Sequence, residues 1–210
     1  MSHRAGGVYK ILERPGIYQR FQSLLGGPGA LERFVREFVR PADGARVLDV
    51  ACGTGALLQY LPESVQYVGY DLNPDYIDAA RRRYGSRGRF VCARVGEEPD
   101  EIATGTFDVV VAVAVLHHLS ETDADHLLRM AARTLSSAGS CVTIDPTLHA
   151  GQGFISKTLA RLDRGGAVRS PESYRGLFQP HFEHVEQWLM TDMLAIPYSH
   201  CILRGVPRCL

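Results

Sequence analysis

The feature that most constrains the fold is an apolar run followed by a glycine-containing turn, within residues 46–61. Residues 47–50 have the composition of a parallel strand that is buried on both faces. Gly53 and Gly55 follow, and glycine adopts backbone angles that other residues avoid and lets a ligand approach the main chain. Residues 56–61 then continue as a helix. A strand, glycine turn and helix at the carboxyl edge of a parallel sheet predict a ligand-binding site.

Two acidic residues make this prediction more specific. Asp49 lies at the end of the first strand, and Asp71 follows a second apolar run, residues 65–70. A carboxylate at the tip of the second strand can accept hydrogen bonds from both ribose hydroxyls of a nucleoside. The glycine turn and Asp71 together therefore predict that the ligand contains a nucleoside.

Three stretches resemble motifs of one known family, the class I S-adenosylmethionine (SAM)-dependent methyltransferases. Residues 47–55 resemble its first motif, residues 70–74 its second, and residues 107–119 the strand-four motif of its small-molecule members. The resemblance is strong over residues 45–145 and weaker over the rest. It implies an enzyme that transfers a methyl group from SAM to a small molecule, such as a natural-product intermediate, and releases S-adenosylhomocysteine.

The resemblance also implies which residues bind the cofactor. They lie at the ends of the first four strands: Asp49, Ala51, Cys52, Gly53, Gly55, Asp71, Leu72, Arg94, Val95, Ala112 and Val113. S-adenosylhomocysteine is expected to bind across the same residues.

The sequence departs from the family pattern at two of these places. Ala51 stands where many members have the first glycine, and it is small enough that we expect cofactor binding to survive. Ala93 and Arg94 replace a Gly-Asp pair whose acid contacts adenine. Adenine would then be held by main-chain groups and stacking, or Arg94 would point away.

Three histidines are candidates for a general base. His117 and His118 follow the fourth strand, and His149 follows the fifth. Histidine has an unperturbed pKa of about 6.5 and can accept a proton near neutral pH. The resemblance places His118 at the reaction centre, so we expect the rate to rise with pH through its pKa; the alternative is that one histidine caps or packs on the next helix. No metal is predicted, because the HxxH pair His181 and His184 has no further ligands in sequence.

The alternation of strands and helices predicts an α/β fold with right-handed crossovers. It is a seven-stranded, mostly parallel sheet with helices on both faces, a closing antiparallel hairpin and an N-terminal helical lid. Strands are predicted at residues 45–50, 65–70, 89–94, 107–113, 140–145, 182–189 and 198–204. Helices are predicted at 17–25, 29–40, 55–61, 74–84, 121–136, 154–163 and from 170. We expect one domain over residues 1–210, with a helical cap (1–44) and a Rossmann-like core (45–210).

Composition excludes some classes of partner. The 210 residues carry no net charge, and 45% are apolar and 22% charged, as in a soluble globular protein. Without a basic excess, and without an Asn/Asp-Pro-Pro-aromatic motif after strand four, no nucleic-acid substrate is expected. No signal peptide or membrane-length apolar stretch is found, so no membrane partner is expected. Five scattered cysteines predict reduced thiols and a cytoplasmic location. The expected oligomeric state is a monomer or a homodimer.

Two other functions remain open from the sequence: a SAM-dependent protein methyltransferase, and a SAM-binding protein that transfers no methyl group. An NAD-dependent dehydrogenase is disfavoured, because Leu58 occupies the position of the third glycine in GxGxxG.

Overall fold

The strands of this computed structural model form one sheet. The model describes residues 27–94, 102, 105–163 and 166–208. The strands are β1 (Arg46–Val50), β2 (Gln66–Asp71), β3 (Arg89–Cys92), β4 (Phe107–Val113), β5 (Leu135–Pro146), β6 (Phe182–Met190) and β7 (His200–Pro207). Their order is β3-β2-β1-β4-β5-β7-β6, with β7 antiparallel to both of its neighbours and the other pairs parallel. The predicted fold class is confirmed.

Helices connect the strands. They are α1 (Gly27–Phe34), which continues as a π-helix (Val35–Val39), α2 (Pro74–Tyr84), α3 (Glu121–Thr134), α4 (Phe154–Arg161) and α5 (Pro171–Phe178), with 3₁₀ turns at Ala56–Tyr60, Gly85–Arg87 and Leu116–His118. The side chains of Asn73, Ser120 and Ser170 each accept a hydrogen bond from a main-chain N–H in the first turn of α2, α3 and α5. Within the described residues, no helix is long and apolar enough to cross a membrane.

The residues of β1 explain why helices cover both faces of the sheet. Val47 packs into a core formed with α1, the π-helix and α2, whereas Leu48 and Val50 pack into a second core formed with α3 and α5. All three side chains are fully buried. Each fully buried Val or Leu contributes roughly 1.5–3 kcal/mol of transfer free energy, so both helical layers stabilise the strand that carries the glycine turn.

Several element bounds differ from the sequence prediction, and two of the differences concern the type or the end of a helix. Residues 56–60 form a 3₁₀ helix, not an α-helix. The helix predicted to reach residue 136 ends at Thr134, and β5 begins at once. Gly139 lies inside β5, although a glycine just after an apolar helical pattern is a common signal for a helix end. A Cβ atom at Gly139 would lie 2.9 Å from the main-chain oxygen of Phe107, so glycine is required there for close strand contact.

The described part of the N-terminal region packs on the sheet. Phe34, Phe38 and Val39 are buried in the core that also contains Val47, and Leu31 packs against the same core. Residues 27–39 are therefore an integral layer of the fold. The helix predicted at residues 17–25 lies outside the described residues.

Candidate active site

The turn after β1 is built from residues with left-handed backbone angles. Ala51, Gly53 and Gly55 have φ values of 56°, 55° and 74°. A Cβ atom on Gly53 would meet no atom within 4 Å, whereas one on Gly55 would lie 2.8 Å from the ring of Phe90. Gly53 therefore leaves space in which a ligand can approach the main chain, and Gly55 allows the turn to pack on β3.

Asp71 joins this turn to the tip of β2. Its Oδ2 accepts a hydrogen bond from the Gly53 N–H at 2.9 Å, and its Oδ1 accepts one from the Asn73 N–H at 2.8 Å. The residue is half-buried, and each carboxylate oxygen has a second lone pair. The main-chain bonds fix the orientation of the carboxylate while leaving it capacity to accept ligand hydroxyls.

A pocket at the carboxyl ends of β1 and β4 brings together five of the predicted cofactor residues. They are Asp49, Ala51, Cys52, Gly53 and Val113. Four further residues line the same pocket and were missed by sequence reasoning: Leu31, Thr54, Ala56 and Leu57. The last three lie in or next to the glycine turn and could have been included. Leu31 comes from the distant helix α1, and only its place on an apolar helical face was visible in the sequence.

Asp49 lies below the turn and is buried. Its Oδ2 accepts a hydrogen bond from the Tyr67 hydroxyl at 2.6 Å. Burial raises the pKa of Asp49 to about 7, although the Tyr67 hydrogen bond opposes this shift; the charge of Asp71 raises it further. Asp49 therefore changes its charge near neutral pH, directly beside the pocket.

Four of the predicted cofactor residues that the structure describes differ in their environments. Leu72 and Arg94 are exposed beyond the tips of β2 and β3. Because 66% of the Leu72 surface is accessible, this side chain offers an apolar surface on which a ligand ring can pack. Ala112 is fully buried in the core and can meet a ligand only through its main chain. Cys52 is buried, and burial raises the pKa of its thiol. Val95 lies outside the described residues.

His117 is held between two carboxylates. Its Nδ1 is 2.9 Å from Asp145 Oδ1, and its Nε2 is 3.2 Å from Asp163 Oδ1. Burial alone would lower the pKa of His117, but the hydrogen bonds to Asp145 and Asp163 outweigh it and raise the pKa to about 9. The ring is therefore a cation at neutral pH, and neither nitrogen is free to accept a proton from a substrate.

His118 has the opposite character. Its ring packs against that of His117, with the ring centroids 4.0 Å apart and the ring planes tilted by 40°, and the residue is exposed. Partial desolvation and the charge of His117 lower the pKa of His118 to about 4. No ring hydrogen bond is formed by His118 within the described part of the chain. It is thus a neutral imidazole with a nitrogen available to accept a proton.

His149 belongs to a separate polar network. Its Nδ1 lies 2.8 Å from the main-chain oxygen of Ala150, so this nitrogen carries the proton and donates. Its Nε2 then accepts from the Ser199 hydroxyl at 3.1 Å, and Ser199 contacts Ser156. Both nitrogens are engaged, so His149 lies in the region expected but is committed to holding the loop after β5.

Within the part of the chain that the structure describes, no three His, Cys, Asp or Glu side chains are grouped so that they could hold a metal ion. Of the HxxH pair, His181 binds Asp125 at 2.7 Å, and His184 is exposed in β6.

The fold and this edge of the sheet define the class of the domain. The strand order, with antiparallel β7 inserted between β5 and β6, carries the glycine turn and Asp71 at adjacent strand ends, as the resemblance to class I methyltransferases implied. Residues 47–139 match the model of the family described as "Methyltransferase domain". The recognition made from the sequence is confirmed: the matched part of the chain is a class I methyltransferase domain.

Two curated relatives illustrate the similarity. Human thiol S-methyltransferase TMT1A is 32% identical over 111 residues, covering 50% of this chain and 44% of the relative. The ubiquinone biosynthesis O-methyltransferase of Xanthomonas oryzae pv. oryzae is 35% identical over 99 residues, covering 46% of this chain and 41% of the relative. The matches thus span less than half the length of these relatives.

Solved structures share the fold at low sequence identity. Haemonchus contortus phosphoethanolamine N-methyltransferase 2, solved with phosphomonomethylethanolamine and S-adenosylhomocysteine, has a TM-score of 0.76 at 16% identity, covering 95% of this chain and 59% of that one. Human N-acetylserotonin methyltransferase, solved with SAM, has a TM-score of 0.67 at 16% identity, covering 97% and 60%. Identities this low establish the fold alone.

Proposed function

We propose that the protein is an enzyme that transfers a methyl group from SAM to a small-molecule acceptor. The observation that carries the proposal is the hydrogen bond from Gly53 to Asp71, which holds an open glycine turn and the Asp71 carboxylate side by side within a methyltransferase domain. When bound, SAM supplies a methyl group on a cationic sulfur, and the protein has to align the acceptor with it and exclude water.

The residues at the sheet edge fit this cofactor. Asp71 would accept the ribose hydroxyls, because its main-chain bonds leave one lone pair on each oxygen. The space beside Gly53 would receive the amino-acid part of the molecule, and the exposed Leu72 side chain would pack on adenine. Arg94, beyond the end of β3, and Ala112 and Val113, at the end of β4, would complete the contacts. Ala51, which replaces the first glycine of the family pattern, is also compatible with cofactor binding, since the alanine adopts the left-handed backbone angle that the turn requires.

The acceptor would lie beyond the ends of β4 and β5, where His118 is exposed. A thiol or hydroxyl acceptor is the leading candidate, since the two relatives described above are named as S- and O-methyltransferases. His118 would accept the proton of an acceptor hydroxyl at its free ring nitrogen. Because its pKa is about 4, the ring passes that proton on to solvent and returns to the neutral form.

Two measurements test the proposal in sequence. Calorimetry with SAM, S-adenosylhomocysteine and NAD should give binding of the first two only. SAM should then be incubated with a thiol, a phenol, an amine and a lysine-rich peptide, with S-adenosylhomocysteine measured by mass spectrometry. Turnover of the thiol or phenol supports the proposal, turnover of the peptide alone favours a protein methyltransferase, and binding without any turnover favours a SAM-binding protein.

The cellular location and the oligomeric state of the enzyme are also proposals. All four cysteines within the described residues are unpaired, which fits a reducing compartment such as the cytoplasm. We expect a monomer or homodimer, and light scattering during gel filtration would distinguish the two.

A further inference from the structure

Asp163 connects three parts of the chain that are distant in sequence. It follows α4, and its Oδ1 lies 3.2 Å from His117 Nε2 in the turn after β4. Its Oδ2 accepts a hydrogen bond from the Tyr198 hydroxyl at 2.7 Å, just before β7. One carboxylate therefore bridges the end of α4, the turn after β4 and the segment that leads into β7.

Neighbouring contacts hold the same turn from the other side. The His117 main-chain oxygen accepts a hydrogen bond from the Ala167 N–H at 3.1 Å. The Arg169 guanidinium donates to the main-chain oxygens of Leu116 and Leu119 at 2.7 and 2.8 Å. His118 thus lies in a turn whose main-chain oxygens at Leu116, His117 and Leu119 are attached to the α4–α5 connection, while its own ring stays exposed.

We propose that Asp163 is a positioning residue for methyl transfer, which fixes the His118 ring at the acceptor side by binding His117 and Tyr198 at once. The proposal rests on the proposed function, and it adds Asp163 to the residues that take part in methyl transfer. Asp163 does not need to touch the acceptor. It acts through His117, whose ring is in contact with the tilted ring of His118, and a small displacement of a reacting group can reduce a rate about 100-fold.

Asp163 is better suited to a test than Asp145, the other partner of His117. The Asp145 side chain is 2% exposed, so its replacement would leave a buried cation beside an uncharged group and would destabilise the fold. The Asp163 side chain is 23% exposed, and water can solvate the groups that its replacement releases. The variant Asp163→Asn should therefore fold.

A matched control removes a similar ion pair elsewhere. Asp125 in α3 binds His181 Nε2 at 2.7 Å, outside the turn after β4. Asp125→Asn thus breaks an Asp–His pair without touching the turn that carries His118.

The first measurement needs no acceptor. In hydrogen exchange of the full chain, Asp163→Asn should speed exchange of the His118 and Leu119 amides, which bond Val115 and Leu116, by about 10-fold or more, and Asp125→Asn should not. Calorimetry should give the same S-adenosylhomocysteine affinity for both variants and the wild type. Unchanged exchange in Asp163→Asn would overturn the proposal, whereas failure of the wild type to bind S-adenosylhomocysteine would overturn the proposed function instead.

The second measurement asks whether Asp163 acts through His118. With the phenol of the acceptor panel, Asp163→Asn should lower kcat by roughly 10- to 100-fold, and Asp163→Glu should recover part of the loss. In the His118→Ala background the same substitution should have almost no further effect on kcat. Independent, multiplicative losses in the double variant would mean that Asp163 has only a general structural role.

Discussion

Single residues of the glycine turn can be tested against a control glycine that also has a positive φ. Gly53 and Gly85 have φ values of 55° and 53°, and a Cβ atom on either would meet nothing within 4 Å. Gly53→Val and Gly85→Val should therefore both destabilise the fold, since both place a branched residue at positive φ. We expect only Gly53→Val to abolish S-adenosylhomocysteine binding in calorimetry. Normal binding by Gly53→Val would mean that the turn does not contact the ligand.

Asp71 provides a second test at the residue scale. Asp71→Ala should weaken S-adenosylhomocysteine binding by roughly 1–3 kcal/mol, because the ribose hydroxyls lose their acceptor. The control is Asp78→Ala, which removes an exposed carboxylate of α2 that faces solvent. Equal calorimetric affinities for both variants would exclude Asp71 from ribose binding.

His118 gives a kinetic prediction that differs from the one made from the sequence. Because its pKa is about 4, the histidine is neutral from pH 5 upwards, and the rate with a thiol or phenol should not rise through the usual histidine range on its account. His118→Ala should lower kcat with a phenol by about 10²-fold, the lower end for general-base catalysis, and leave SAM affinity unchanged. An aromatic thiol, which ionises by itself near neutral pH, should be less affected. Equal losses with both acceptors would argue against proton transfer.

The positions of the residues on the cofactor side could be predicted from the sequence, but the contacts around His117 could not. Gly53 and Asp71 follow strands in a spacing that itself implies their position. His117, Asp145 and Asp163 come from three separate elements, and their contacts depend on how the α4–α5 connection folds back on the sheet. No local pattern encodes that packing, so the opposite pKa shifts of His117 and His118 could not be foreseen.

Among the elements, the N-terminal region invites a deletion experiment. Residues 27–39 are part of the core, and Leu31 lines the pocket, so α1 lies beside the site. Deleting residues 1–25 should reduce turnover or acceptor binding more than it reduces stability. As a contrast, Phe38→Ala should cost about 3–5 kcal/mol of stability in urea unfolding, since Phe38 is buried. Full activity after the deletion would rule out a lid.

The positions of most helices and strands can be predicted from local sequence, because burial of one or two faces imposes a regular spacing of apolar residues. The boundary between α3 and β5 was misplaced for a physical reason. Gly139 is required by the close approach of β4, a contact between residues far apart in sequence, and its local signal is that of a helix end.

The stability of the whole molecule should depend on pH through His117. Its pKa is about 9 in the folded protein and about 6.5 when unfolded, so between these values the unfolded chain binds fewer protons. Stability should therefore fall as pH rises from about 7 to 9, by up to about 3 kcal/mol in urea unfolding. His117→Gln should flatten this slope, whereas His181→Gln should retain it. A wild-type stability that is constant over this range would contradict the ion pair.

Ala51 and Ala114 lie at the ends of the adjacent strands β1 and β4, and both have left-handed backbone angles. These angles affect which substitutions such a sequence can accumulate during evolution. In a helix, exchange of alanine for glycine costs about 1 kcal/mol, but at positive φ the steric strain of the alanine offsets that difference. Alanine and glycine are then nearly equivalent at these two places. A lineage can exchange them by neutral substitution, and a motif search that insists on glycine at position 51 would overlook functional members of the family.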